Sequence, residues 1–129
     1  MKKLEELKAE LKNIPQQEKW KHAMMKLPEA EAHCTWFKDC GREEVLAEES
    51  EKIASEFPNR PSDAMLSKKA RASEHWKQAS KEYKEQLEVK IYIKNLITFK
   101  KMENDMRIAT IYHESAKLKA GIEGYGEGS

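Results

Sequence analysis

Between Leu4 and Ile14 the apolar residues Leu4, Leu7, Leu11 and Ile14 recur at spacings of three and four. That spacing puts them on one stripe of an α-helix. Pro15 then breaks or restarts the helix, because proline has no N–H to donate and its ring clashes with the preceding turn. A second short helix is expected from Pro15 to Leu27, with Trp20, Met24 and Leu27 on one side. Pro28 suits the first turn of a third helix running through Cys40, and Gly41 suits its C-terminal stop. A fourth is expected from Arg42 to Phe57, carrying Val45, Leu46, Ile53 and Phe57.

The segment FPNRPSD, residues 57–63, is the clearest boundary in the chain. Two prolines in four residues cannot sit inside a helix. Residues 1–57 therefore read as short N-terminal helices and 58–62 as a proline-containing linker. Ser62 or Asp63 is a natural N-cap for a helix beginning there.

Residues 63–120 contain neither Gly nor Pro and are rich in helix-forming Ala, Lys, Glu, Met and Leu. They read as one long helical segment. Met65, Ala72, Trp76, Ala79, Tyr83 and Leu87 follow helical spacing. A second run is Tyr92, Leu96, Phe99, Met102 or Glu103, Met106, Ala109 and His113. The two runs do not share one heptad register, and Gln86 and Lys90 stand where a coiled coil would want apolar side chains. The segment is therefore expected to drift in register, bend or break near residues 86–95. A rival reading makes residues 87–101 a β-hairpin, since Val89, Ile91 and Ile93 alternate with charged or aromatic neighbours. Helix is preferred, because both flanks are strongly helical and two isolated strands make a weak sheet. Residues 121–129 hold four glycines and read as a flexible tail. The expected fold class is all-α: short N-terminal helices plus a long C-terminal helical segment, bundle-like or coiled-coil-like.

Composition narrows this picture. With 39% hydrophobic and 36% charged residues, the 129-residue chain can bury only a thin core. Helices that expose a full face to water suit that ratio, as does a core completed by a second chain. Three Trp, four Tyr, three Phe and six Met argue against disorder. The formal net charge is only +1, but its distribution is uneven. Residues 43–56 hold six Glu against one Lys, whereas residues 66–101 hold ten Lys or Arg against four Glu. The acidic and basic segments either pack on each other or face solvent, or else the basic helix binds a polyanion. Two cysteines are too few for a disulfide framework. No apolar run suits a membrane span, and acidic residues interrupt the start MKKLEELKAEL where a signal peptide would be apolar. No membrane partner is expected, and the cytoplasm is the expected location.

Candidate chemistry is sparse. His33, Cys34 and Cys40, with His22 and His113 elsewhere, are zinc-ligand types, but Cys-x5-Cys is not a usual zinc spacing and no second Cys pair exists. No metal and no cofactor are expected. Nothing resembles a nucleophile elbow, an oxyanion loop, a phosphate loop or a dinucleotide fingerprint, so the chain is not expected to be an enzyme. The strongest functional signal is the series Lys68, Lys69, Arg71, Lys77, Lys81 and Lys84, interleaved with Trp76 and Tyr83 and continued by Lys90, Lys94, Lys100 and Lys101. Repeated cations neutralise phosphates, and aromatic rings can stack on single-stranded bases. The competing expectation is that Trp76 and Tyr83, which lie on the apolar stripe, belong to the core.

The stretch SDAMLSKKARASEHWKQASKEYKEQLEVKIYIKNLITFKKMENDMRIA, residues 62–109, resembles the C-terminal helices of small phage-encoded accessory proteins of the UvsY-like recombination-mediator type. The likeness is one of texture: a long charged helix with lysine and aromatic residues and a late MENDMR, over about a third of the chain. It implies single-stranded DNA binding, recombinase loading and assembly into ring-like oligomers. The first expectation is a non-enzymatic helical protein-binding or adaptor protein, acting on another protein and as a homo-oligomer, in the manner of a phage accessory or host-defence inhibitor. The alternative is a nucleic-acid-binding recombination accessory that uses the basic helix on single-stranded DNA.

Overall fold

The structure, a computed structural model, describes residues 1–127, with side chains described through Gly121. It is 82% helical with no strand among the described residues, which decides residues 87–101 in favour of helix. The chain divides into two compact units, residues 1–93 and 94–129.

In the first unit, α1 spans Leu4–Leu11 and buries Leu7 and Leu11, as the stripe predicts. The next helix is shorter than expected. Residues 15–18 form a turn, closed by the Glu18 N–H donating to the Pro15 carbonyl at 2.9 Å, so α2 spans only Lys19–Met24. That start turns Ala23 inward and leaves Met24 exposed.

Helix α3 spans Leu27–Trp36 with Pro28 in its first turn, as expected. It does not stop at Gly41. A π turn, Phe37–Gly41, leads directly into α4, Arg42–Ala54, and the middle helix bends. Gly41 has φ −60° and ψ −38°, ordinary helical values, so it is not the left-handed cap the sequence suggested. Its role is close approach: a Cβ there would sit 2.7 Å from the Trp36 indole.

Phe57 lies just beyond α4, and the Lys69 ammonium sits 4.6 Å from its ring centroid. After the linker, Ser62 Oγ accepts the Met65 N–H at 3.3 Å and caps α5, Asp63–Arg71. The long segment is interrupted at Ala72–Ser73. Ser73 Oγ donates to the Ala70 carbonyl at 2.6 Å and accepts the Trp76 N–H at 3.2 Å. One hydroxyl thus ends α5 and starts α6, Glu74–Glu127.

Residues 86–95 remain helical inside α6. The loss of apolar register there has a local reason. Gln86 is only 4% exposed, and its Nε2 donates to the Lys2 carbonyl at 3.0 Å. Val89 and Ile93, three and seven residues on, are buried on the same face. Val89 and Ile93 therefore serve a helical core, whereas Ile91 is exposed. The division between the units, after Ile93, falls within this same stretch.

The second unit contains the remainder of α6. Leu96, Ile97 and Lys100 are half-buried, and every residue from 101 to 121 is exposed. The helical backbone is assigned as far as Glu127, inside the stretch read as a flexible tail. Residues 128 and 129 of that stretch lie outside the described residues.

Candidate interaction surfaces

All six cationic site candidates, Lys68, Lys69, Arg71, Lys77, Lys81 and Lys84, are exposed. Lys68, Lys69 and Arg71 occupy the last turn of α5, where cations offset the partial negative charge of the helix end. Lys77, Lys81 and Lys84 stand at i, i+4 and i+7 on one face of α6. Lys77 pairs loosely with Glu74 at 3.7 Å.

The aromatic residues are directed elsewhere. Phe37 stacks on Tyr83 with centroids 4.6 Å apart and planes at 19°, and it meets Trp76 at 5.9 Å and 30°. Trp76 and Tyr83 thus tie the start of α6 to the π turn. Both rings are half-buried against Phe37 and lie outside the fully buried core.

The acidic helix α4 packs against the basic α5. Glu49 of α4 is buried and accepts a hydrogen bond from His75 Nδ1 at 2.8 Å, with Lys52 Nζ at 3.5 Å. The His75 hydrogen bond, with help from Lys52, holds the Glu49 carboxyl below its usual range against the opposing effect of burial. Glu51 pairs with Arg60 at 3.1 Å.

The Cys/His residues do not assemble. Cys34 is buried, and burial raises its thiol pKa. Cys40 is exposed. His33 lies beside Trp36, centroids 5.6 Å apart, while His22 donates from Nε2 to Glu10 Oε1 at 2.8 Å. Among the described residues, no group of three or more His, Cys, Asp or Glu side chains is placed to hold a metal ion. Among those residues, too, no helix is long and apolar enough to cross a membrane.

The most unusual surface lies in the second unit. Phe99, Met102, Met106, Ile108, Ile111, Tyr112 and Leu118 are each 51–73% exposed. They fall on two sides of the helix. Phe99, Met102 and Met106 continue with Ala109 and His113 along the run read from the sequence. Ile108, Ile111 and Leu118 form a second stripe, which following a single run does not reveal although its spacings of three and seven are helical. Glu103 sits between the two, with Lys100 at 3.9 Å and Arg107 at 3.8 Å.

These features define an all-α protein whose last helix exposes large apolar side chains. Comparison with protein-family models, with curated proteins and with solved structures finds no match.

Proposed function

We propose that this is a non-enzymatic protein-binding protein whose contact element is the 94–121 portion of α6. One observation carries the reading: seven large apolar side chains between Phe99 and Leu118 stand more than half exposed. Exposed large apolar side chains gathered along one short segment mark an interaction surface. Complete burial of each such side chain would contribute about 1.5–3 kcal/mol. Residues 101–121 are exposed on every side and draw no stability from packing within the chain, so a partner that covers them also stabilises them. Action through protein contacts is also how a phage accessory or host-defence inhibitor of this size would work.

The test is retention of partners from the native host by the full chain and by a variant carrying Ile108→Glu, Ile111→Glu and Leu118→Glu. The expected result is that the variant loses a partner the natural chain retains, while its circular dichroism is unchanged. Equal retention by both would overturn the reading.

The second reading, single-stranded nucleic acid binding, is supported by the exposed lysine face Lys77, Lys81 and Lys84. It predicts oligonucleotide binding that weakens steeply with salt and is reduced by Lys77→Glu and Lys81→Glu. No binding at low salt would remove it.

A further inference from the structure

We infer that one face of the exposed helix is covered by a second copy of this chain, packed antiparallel to the first. The inference rests on the reading of residues 94–121 as a contact element and specifies its occupant. Met102, Met106, Ala109, His113, Ala116 and Ala120 recur at alternating spacings of four and three, and all are exposed. This is the a/d seam of a heptad, with Met102, Ala109 and Ala116 at d and Met106, His113 and Ala120 at a.

The pattern chooses an orientation. In an antiparallel pair each a residue of one helix faces a d residue of the other. A register centred on Ile111 sets Met102 against Ala120, Met106 against Ala116 and Ala109 against His113 of the second copy. Within residues 102–120 each larger side chain then meets a small one, so these layers interdigitate; Phe99 continues the seam before them. A parallel pair would instead set Met106 on Met106 and His113 on His113, and would leave Ala109 and Ala116 facing their own copies.

The flanking charges favour the same orientation. Glu103 and Lys117 occupy e positions, and Asp105 and Lys119 occupy g positions. All four are exposed. Antiparallel helices bring e opposite e and g opposite g. The register that matches the seam therefore sets Glu103 opposite Lys117 and Asp105 opposite Lys119 of the other copy. The two-fold axis repeats both pairs, giving a closed, self-complementary interface. A parallel pair sets g opposite the following e, so Asp105 would meet Thr110 and Tyr112 would meet Lys117, with no charge pair formed. Acidic residues early and basic residues late on one seam are the signature of a helix that complements itself only when reversed. Ile108, Ile111 and Leu118 lie off this seam and stay available to a different protein.

The experiment is the solution mass of the full chain by analytical ultracentrifugation across protein concentration. The natural chain is expected to reach twice its 15.0 kDa mass. The double variant Glu103→Lys, Asp105→Lys makes every flanking charge positive, and Lys117→Glu, Lys119→Glu makes every one negative. Each alone is expected to dimerise more weakly by on the order of tenfold or more. An equimolar mixture of the two should recover the dimer. Orientation is read separately by oxidation in a background of Cys34→Ala and Cys40→Ser. Mixing the Ala109→Cys and His113→Cys chains should give a cross-linked heterodimer, with little cross-linking of either chain alone. A monomer at all concentrations, a dimer indifferent to charge reversal, or cross-linking of each chain with itself would overturn the inference. Loss of self-association with partner retention still dependent on Ile108, Ile111 and Leu118 would reject this inference alone, leaving the protein-binding reading intact.

Discussion

The rings of Phe37 and Tyr83 lie face to face, with centroids 4.6 Å apart. Phe37 opens the π turn and Tyr83 belongs to the third turn of α6, so the stack joins segments 46 residues apart. The turn that buries Phe37 also buries Gly41, whose backbone passes against the Trp36 indole. An ordinary α-helical turn would place both residues differently around the axis, since a π turn takes in an extra residue. The bend of the middle helix and the aromatic cluster thus have one cause.

Gly41→Ala tests that arrangement. The new methyl would lie 2.7 Å from indole carbons, so the ring or the helix must shift. The expected cost is about 1–3 kcal/mol of stability, measured by urea denaturation. In a Trp36→Ala background the same substitution should be neutral or stabilising by up to ~1 kcal/mol, because alanine is the better helix former once the clash is gone. An equal cost in both backgrounds would show that the indole is not the obstacle.

Much of the fold is legible in the chain because the responsible interactions are local. Pro28, the proline linker and the Ser62 cap act within a turn of where they stand, and the structure uses all three as read. The errors arise where a distant residue decides, or where one residue's local role is ambiguous. Gly41 reads as a helix stop because a terminal glycine and a close-approach glycine look the same without Trp36 beside it. Ala72–Ser73 interrupts the long segment through two hydrogen bonds to one serine, and serine is not a strong breaker by composition. Trp76 and Tyr83 are interleaved with lysines, yet their partner is Phe37, some forty residues earlier. The exposed apolar helix is invisible in the pattern alone, because covered and uncovered stripes have the same spacing.

Gln86 separates two accounts of the same position. As a polar residue in a coiled-coil seam, its replacement by leucine would stabilise the protein. In the structure it is buried and donates to the Lys2 carbonyl, which holds the N-terminus against α6. Gln86→Leu is therefore expected to destabilise by about 1 kcal/mol, the usual worth of such a hydrogen bond. Amide exchange near residues 2–4 should quicken in the variant, and a stabilised variant would refute the structural role.

Acid should release the N-terminal helices through Glu10. Its carboxylate accepts hydrogen bonds from Lys2 Nζ and from His22 Nε2. The Lys2 bond first, then the His22 bond, lower the Glu10 pKa from 4.5 to about 2. The unfolded chain therefore binds this proton more tightly than the folded one. The stabilisation is present in full above pH 4.5 and disappears as the pH falls toward 2. The urea midpoints of the natural chain and of Glu10→Gln should differ most above about pH 5 and converge near pH 2. A constant difference across that range would show that the pair does not carry the acid response.

Hydrogen exchange tests the uncovered helix directly. Residues 82–93 include the buried Gln86, Val89 and Ile93, and opening them exposes core. Residues 101–121 expose every side chain, so their amides rely on helix propensity alone when nothing covers them. In dilute protein, amides of 101–121 are expected to exchange at least about 100-fold faster than those of 86–93. Raising the concentration into the range where the second copy binds should slow exchange in 101–121 and leave 86–93 unchanged. Protection should grow in proportion to the dimer measured by sedimentation, because covering this helix stabilises it by mass action. Strong protection of 101–121 at every concentration would mean that the segment is already covered within a single chain.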